Sequence, residues 1–385
     1  MIFLDVNNFF VDRAGGIRTY HLERIEWFRR RPEHTYIVVG PGSRRSEEKL
    51  APNVIRAHIW GIPLGREEGG YRLMMDLPGL RRLIRKYRPD VVEAGDPWVS
   101  GHFMLLLKLL RQYCGPLEYF YHSDPVRTYL EPWAGRGGMW RRLLIRLPAF
   151  LIRRIQQLYQ RTRTASEMMR DQLLRAGIRR VACTPFGAPE AMFRAMDYRV
   201  PGEEESLRII YAGRLHPDKG VDILPPVLMH LLRNPRVEVT VAGRGHLRAL
   251  FENDFFRSHP RFRLLDYIHD QDEYRHLLRR QHLYLAPGPW ETFGLAVLEA
   301  MALGLPVVGP DQGGTAELLH QIPGALIFEA GNPDSMIRCV EKALSSDLAE
   351  LSRAHRKQAE QYGTWETAIE RMITDSMETL RHAED

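Results

Sequence analysis

Cysteine is scarce: Cys114, Cys183 and Cys339 are the only three among 385 residues. They stand far apart, with no C-x-x-C pair and no even-numbered framework. That excludes a disulfide scaffold and points to buried or incidental thiols in a reducing compartment. Long apolar runs are missing too. The most apolar stretch, residues 103–110, is broken by Lys108 and is far too short to cross a bilayer. The chain enters a strand-like I-F-L-D-V at residue 2 without a basic n-region or cleavage site, so no signal peptide and a cytoplasmic location are expected. There is no internal repeat, no low-complexity segment and no G-x-G-x-x-G fingerprint, which argues against a dinucleotide enzyme.

What is present is a globular composition, 44% hydrophobic and 26% charged, on a chain long enough for two domains of ordinary size. The net charge of +6 is unevenly placed. Residues 135–180 hold twelve arginines against Glu167 and Asp171, an excess of ten, which leaves the remainder at 6 − 10 = −4. A cationic patch that local suggests an anionic partner surface.

Short β-branched runs alternate with amphipathic helical segments, the pattern of parallel α/β units. Strands are expected at 2–6, 35–39, 54–59, 90–94, 117–121, 163–165 and 180–183, with helices such as 17–30 and 77–87 between them. A polar break rich in turn formers follows, and the rhythm restarts with strands at 207–212, 237–242, 262–265, 282–286, 306–308 and 325–328. The expected organisation is a Rossmann-like domain over 1–188, joined by a final helix over 364–385, and a second over 189–363. In such sheets ligands bind beyond the carboxyl ends of the strands.

Four loops there carry candidate chemistry. Gly15-Gly16 precedes the first helix, where bare backbone and a helix N-terminus suit an anion, although a tight turn alone would also use two glycines. Arg214 and Lys219, in A-G-R-L-H-P-D-K-G, set two cations five residues apart after Gly213, an arrangement suited to a diphosphate or simply to a solvated loop. Gly243, in V-A-G-R-G, offers backbone against which a base or ribose could lie. The fourth loop is E-T-F-G-L-A-V-L-E, residues 291–299. Glu291 precedes a helix and Glu299 lies inside it, flanked by apolar residues that turn it inward. The amides of Phe293, Gly294 and Leu295 at that helix N-terminus are free to bind oxygens. Taken singly, Glu291 reads as a cap and Glu299 as a surface residue. Asp270-Gln-Asp272 has the D-x-D form of a metal site, but its setting is that of a helix N-cap, and no metal is expected.

These loops, together with L-E-A-M-A-L-G-L-P-V-V and Gly313-Gly-Thr-Ala-Glu317, occur in an order that resembles the family-4 retaining glycosyltransferases of the GT-B fold, two Rossmann-like domains facing each other across a cleft. The likeness is strong over 209–319 and looser before residue 181. It implies that Arg214 and Lys219 hold the donor diphosphate in place of a metal, that Glu291 holds the donor sugar and Glu299 the ribose, and that Gly15 and Gly16 close over the phosphates. Gly213, Gly243, Ile268, Phe293, Gly294 and Leu295 would complete the donor site, and His122 would face the sugar. A lone histidine at a strand end is otherwise more often structural. Retention would then be a front-face displacement needing no carboxylate nucleophile and no cofactor.

The acceptor is less legible. Asp124, Arg127 and Tyr129, and Asp96 with Trp98, could shape its pocket on position alone. Residues 136–163 contain eight arginines and no acid, set against an apolar stripe including Trp140, Leu144, Leu147, Leu151, Ile155 and Leu158, interrupted by Pro148. That pattern fits a segment lying on an anionic membrane, and equally a domain helix with an arginine-rich solvated face. The expected activity is hexose transfer from a UDP- or GDP-sugar to a lipid-linked or cell-surface acceptor. An epimerase or phosphorylase of the same fold is the alternative; no nucleic-acid module accompanies the basic patch.

Overall fold

A computed structural model of the chain describes residues 1–10, 15–64, 72–96, 99–123, 150, 152–194, 198–202 and 205–384. The chain divides into two compact units, residues 1–184 with 366–385, and residues 185–365.

Among the described residues the first unit is built on a nine-stranded sheet: β1 (Ile2–Val6), β2 (Thr35–Gly42), β3 (Ser46–Ala51), β4 (Val54–Pro63), β5 (Arg72–Met74), β6 (Val91–Ala94), β7 (Leu117–Phe120), β8 (Arg161–Thr164) and β9 (Val181–Cys183). Their order is β3-β4-β2-β1-β6-β7-β8-β9, with β5 paired to β4. All pairings are parallel except those of β3 and β5 on β4. The two antiparallel edge strands were not expected. β3, S-E-E-K-L-A, is exposed and charged, so no apolar alternation announces it.

One face of this sheet is apolar, with Leu4, Val6, Ile37, Val39, Val92 and Ala94 in a shared core. The alternate positions carry buried charge. Asp5, Glu93 and Glu118 lie side by side across β1, β6 and β7. Arg24, from the Gly16–Arg29 helix, sits 3.3 Å from both Asp5 and Glu93. Tyr20 donates to Glu93 at 2.7 Å, and Tyr36 donates to Asp5 at 2.5 Å. Arg163 of β8 is fully buried, forked onto Glu118 and donating to Ser376 of the C-terminal helix, Trp365–Glu384. Charges this deep are tolerable only because each has a partner.

The second unit has six parallel strands: β10 (Leu207–Ala212), β11 (Val237–Ala242), β12 (Phe262–Leu265), β13 (Leu283–Leu285), β14 (Val307–Pro310) and β15 (Leu326–Phe328). Their order, β12-β11-β10-β13-β14-β15, reverses between β10 and β13. That is the doubly wound arrangement, whose ligand crevice opens at the reversal. Val237, Val239 and Val241 of β11, with Leu207, Ile209 and Tyr211 of β10, share one core with the helices Leu224–Leu231 and Pro333–Leu344.

Candidate active site

The loops leaving β10 and β13 meet at the strand-order reversal. Beyond β10 the chain makes two short 3₁₀ turns, Pro217–Lys219 and Val221–Ile223, before the helix at Leu224. The loop is therefore tighter than the sequence suggested. Gly220, at φ +63, is pressed against β13's loop: a Cβ there would stand 2.4 Å from the Pro287 carbonyl oxygen. This contact brings Lys219 to Glu291, with Nζ 2.6 Å from Oε1 across 72 residues of chain. Arg214 is bound to Asp218 at 2.8 Å, and Asp218 also takes a 2.5 Å hydrogen bond from His216. Burial pushes the Asp218 carboxyl up, but the His216 hydrogen bond and the charges of Arg214 and Lys219 outweigh it and hold the group well below the carboxylate range.

Glu291 precedes the Leu295–Ala302 helix and Glu299 lies inside it, buried. Gly294 is the N-cap, at φ +94, and makes no side-chain cap bond to the first-turn amides. That backbone angle is one only glycine takes easily. Phe293 fixes the turn from below, its ring 5.3 Å from Phe186 and 5.7 Å from Tyr362. Leu298 and Met301 are buried and Leu295 partly so.

Gly243 also has a structural reason to be glycine. Its φ is +148, and a Cβ would lie 1.9 Å from the Gly213 carbonyl oxygen. Backbone crowding between the β10 and β11 loops already demands glycine, with no ligand needed to explain it. At Gly15, by contrast, a Cβ would meet no described atom within 4 Å. Ile268 is partly buried between β12 and the Gln271–Arg279 helix. Asp270 caps that helix, accepting from the Glu273 amide at 2.8 Å.

Sequence reasoning missed two groups. Tyr284 of β13 donates to the Ala212 carbonyl at 2.7 Å. Its phenol and that of Tyr274 are pushed up by burial, and Glu299 adds to both. The two tyrosines thus sit beside the carboxylate assigned to ribose; Tyr284, a lone polar tip within L-Y-L, was the available signal. Asp266, just past β12, is forked by Arg244, whose hydrogen bond holds its carboxyl down to about 2.

In the first unit, His122 follows β7, stacked on Phe120 at 4.5 Å and edge-on to Tyr20 at 4.9 Å. Burial, with His21 and Arg24 nearby, keeps its imidazole well below the usual histidine range and therefore neutral. Gly15 caps the Gly16–Arg29 helix without a side-chain bond. Asp96 is not a pocket residue. It is fully buried and accepts from the Asn8 amide at 2.9 Å and the Asn8 side chain at 2.8 Å, tying the ends of β1 and β6 together. Trp98, Asp124, Arg127 and Tyr129 lie outside the described residues, as do 136–149 and 151 of the arginine-rich segment. Of that segment's four described arginines, Arg163 is buried, and Arg161 donates to the Asp375 carbonyl at 2.9 Å. Beside them, Phe150 and Leu158 are exposed next to the exposed Arg153 and Arg154.

With this geometry in place, two family models match the chain: the glycosyl transferase 4-like domain over residues 15–187 and glycosyl transferases group 1 over residues 206–346. The chain belongs to this family; it is a glycosyltransferase of the GT-B fold. It is 27% identical over 390 residues to a GDP-mannose-dependent α-(1-6)-phosphatidylinositol dimannoside mannosyltransferase of Mycobacterium tuberculosis, covering 96% of this chain and 94% of that one. It is 23% identical over 338 residues to a GDP-mannose-dependent α-mannosyltransferase of Corynebacterium glutamicum, covering 83% and 75%. Sucrose-phosphate synthase of Thermosynechococcus elongatus shares the fold, with a TM-score of 0.74 over 99% of both chains at 17% identity. No helix among the described residues is long and apolar enough to cross a membrane.

Proposed function

We propose that this chain transfers mannose from GDP-mannose to a lipid-linked acceptor, with retention and without a metal, at the cytoplasmic face of a membrane. The observation that carries this reading is the meeting of Lys219 and Glu291 at the strand-order reversal, with Arg214 on the same loop. A cation pair for the diphosphate stands next to a carboxylate for the sugar hydroxyls, and the uncapped amides beyond Gly294 add positive potential. Arg214 and Lys219 stabilise the leaving β-phosphate as the bond from C1 to the phosphate oxygen breaks. The acceptor oxygen bonds to C1 on the same face, and its proton passes to that phosphate oxygen. Glu291 orients the sugar and forms no bond to it. Neutral His122 offers a hydrogen bond rather than a charge.

Both relatives support the donor, and the mycobacterial one, a phosphatidylinositol dimannoside mannosyltransferase, supports the phosphatidylinositol-based class of acceptor. Phe150 and Leu158 beside Arg153 and Arg154 support contact with an anionic lipid surface, apolar side chains entering the interface and guanidinium groups meeting headgroups. The test is thermal stabilisation by GDP, UDP and ADP, followed by turnover of GDP-mannose with vesicles containing phosphatidylinositol dimannoside. A ligand at a hundred times its Kd adds about 2.7 kcal/mol. Stabilisation by GDP alone supports the reading; stabilisation by UDP or ADP and not GDP overturns the donor.

A further inference from the structure

The loop Gly313-Gly314-Thr315 lies against the backbone of the turn that carries Glu291. Gly314 donates its N–H to the Glu291 carbonyl at 2.6 Å. A Cβ at Gly314 would stand 2.4 Å from Phe293 Cα and 2.5 Å from its nitrogen. A Cβ at Gly313, which also sits at φ +75, would stand 2.6 Å from the Pro289 carbonyl oxygen and 3.0 Å from that of Glu291. Two bare peptide units are thus laid flat on the 289–293 backbone, where any side chain would push it away.

Thr315 continues the contact. It is fully buried, its methyl packs toward Gly309 of β14, and its hydroxyl lies 3.2 Å from where a Gly294 Cβ would stand. That hydroxyl has no hydrogen-bond partner among the described residues. Valine would fill the same space without stranding a polar group, so packing alone does not account for threonine here. The unsatisfied group faces the one point in the turn, the αL residue Gly294, through which the uncapped helix N-terminus begins.

We propose that Gly314 and Thr315 are positioning residues for transfer: Gly314 sets the height of Glu291 over the donor, and the Thr315 hydroxyl gains its partner from the 293–295 turn when that turn takes up the sugar-phosphate. This rests on the assignment of Glu291 to the donor sugar. The hydroxyl is used only as the turn closes on the sugar-phosphate, so its loss weakens the reacting complex more than the resting protein.

The test uses the full chain and the nucleotide-sugar whose nucleoside diphosphate stabilises it. Thr315→Val is expected to melt no lower than the parent, yet to lose about three- to tenfold in kcat with little change in donor KM. Thr315→Ser, which restores a hydroxyl, recovers most of the loss. Gly314→Ala displaces the turn and loses about a hundredfold. Glu291→Ala is measured alongside. If Glu291→Ala is inactive while Thr315→Val keeps the parent's kcat and KM, this inference is overturned and the site stands. If Glu291→Ala is itself fully active, the site assignment has failed. Should Gly314→Ala not fold, Thr315→Val against Thr315→Ser decides alone.

Discussion

Lys219 Nζ lies 2.6 Å from Glu291 Oε1, each side chain about one-quarter exposed. The cation assigned to the diphosphate is therefore held by the carboxylate assigned to the sugar. A nucleotide-sugar can release both at once, because its phosphate takes the lysine and its hydroxyls take the glutamate. A nucleoside diphosphate alone replaces only one side of the pair.

Glu291→Gln is accordingly expected to separate binding from transfer. GDP binding should hold or tighten by up to about fivefold, the value of a partly exposed ion pair. Sugar transfer should fall by about a hundredfold or more. Calorimetry with GDP beside initial rates with GDP-mannose checks this; weaker GDP binding with unaltered transfer would refute the exchange.

The first unit should depend heavily on Arg163. Removing it takes the paired cation from the buried Glu118 carboxylate, which keeps the Ser376 hydroxyl as a donor at 2.8 Å but no longer has its charge balanced by Arg163. Arg163→Ala is expected to cost about 3–5 kcal/mol, read as a fall in the urea midpoint of the first unit's transition. A surface arginine would cost less than 0.5 kcal/mol, so a shift that small would contradict the burial.

Acid should destabilise the second unit through His355. Its Nε2 accepts from the Val307 amide at 3.1 Å while Nδ1 meets the Leu351 carbonyl at 2.7 Å, a pairing only the neutral ring with its proton on Nδ1 can make. Burial lowers the folded-state value to about 4 from 6.5. The unfolded chain thus binds the proton first. Stability is full above pH 6.5 and declines at up to about 1.4 kcal/mol per pH unit as pH falls toward 4. His355→Gln should be less stable at neutral pH but show a flatter profile across that window; an unchanged slope would exclude His355 as the source.

Arg153 and Arg154 lie between the exposed Phe150 and Leu158 in the chain, with the Arg154 guanidinium 5.0 Å from the Phe150 ring centre. Replacing both arginines by glutamine should weaken binding to vesicles containing anionic phospholipid by about thirtyfold, at about 1 kcal/mol per charge. Flotation with neutral vesicles serves as the control, and equal binding of both proteins to anionic vesicles would remove this surface from the account.

The strands of the second unit were readable because they are short, mostly apolar runs bounded by turn formers, largely buried in β10, β11, β13 and β14. β3 was not, because an exposed edge strand reading S-E-E-K-L-A carries no apolar period. The arginine-rich segment was over-counted as surface because composition does not distinguish Arg163, whose partners lie 45 and 213 residues away, from Arg153. The glycine loops were located from sequence but not fully explained: Gly243 is demanded by Gly213, a backbone contact that only the register of β10 on β11 creates. The Lys219–Glu291 pair was invisible for the same reason, since adjacent strands β10 and β13 are separated by 70 residues and more of chain.

The central claim is that one loop pair holds a nucleotide-sugar for transfer with retention and without a metal. Its most direct measurement is the anomeric configuration of the product, read from the one-bond carbon–proton coupling after transfer from GDP-α-mannose in the presence of EDTA. The account expects an α-linked mannoside formed at an undiminished rate. A β-linked product would contradict retention, and a reaction abolished by EDTA and restored by a divalent cation would contradict the role given to Arg214 and Lys219.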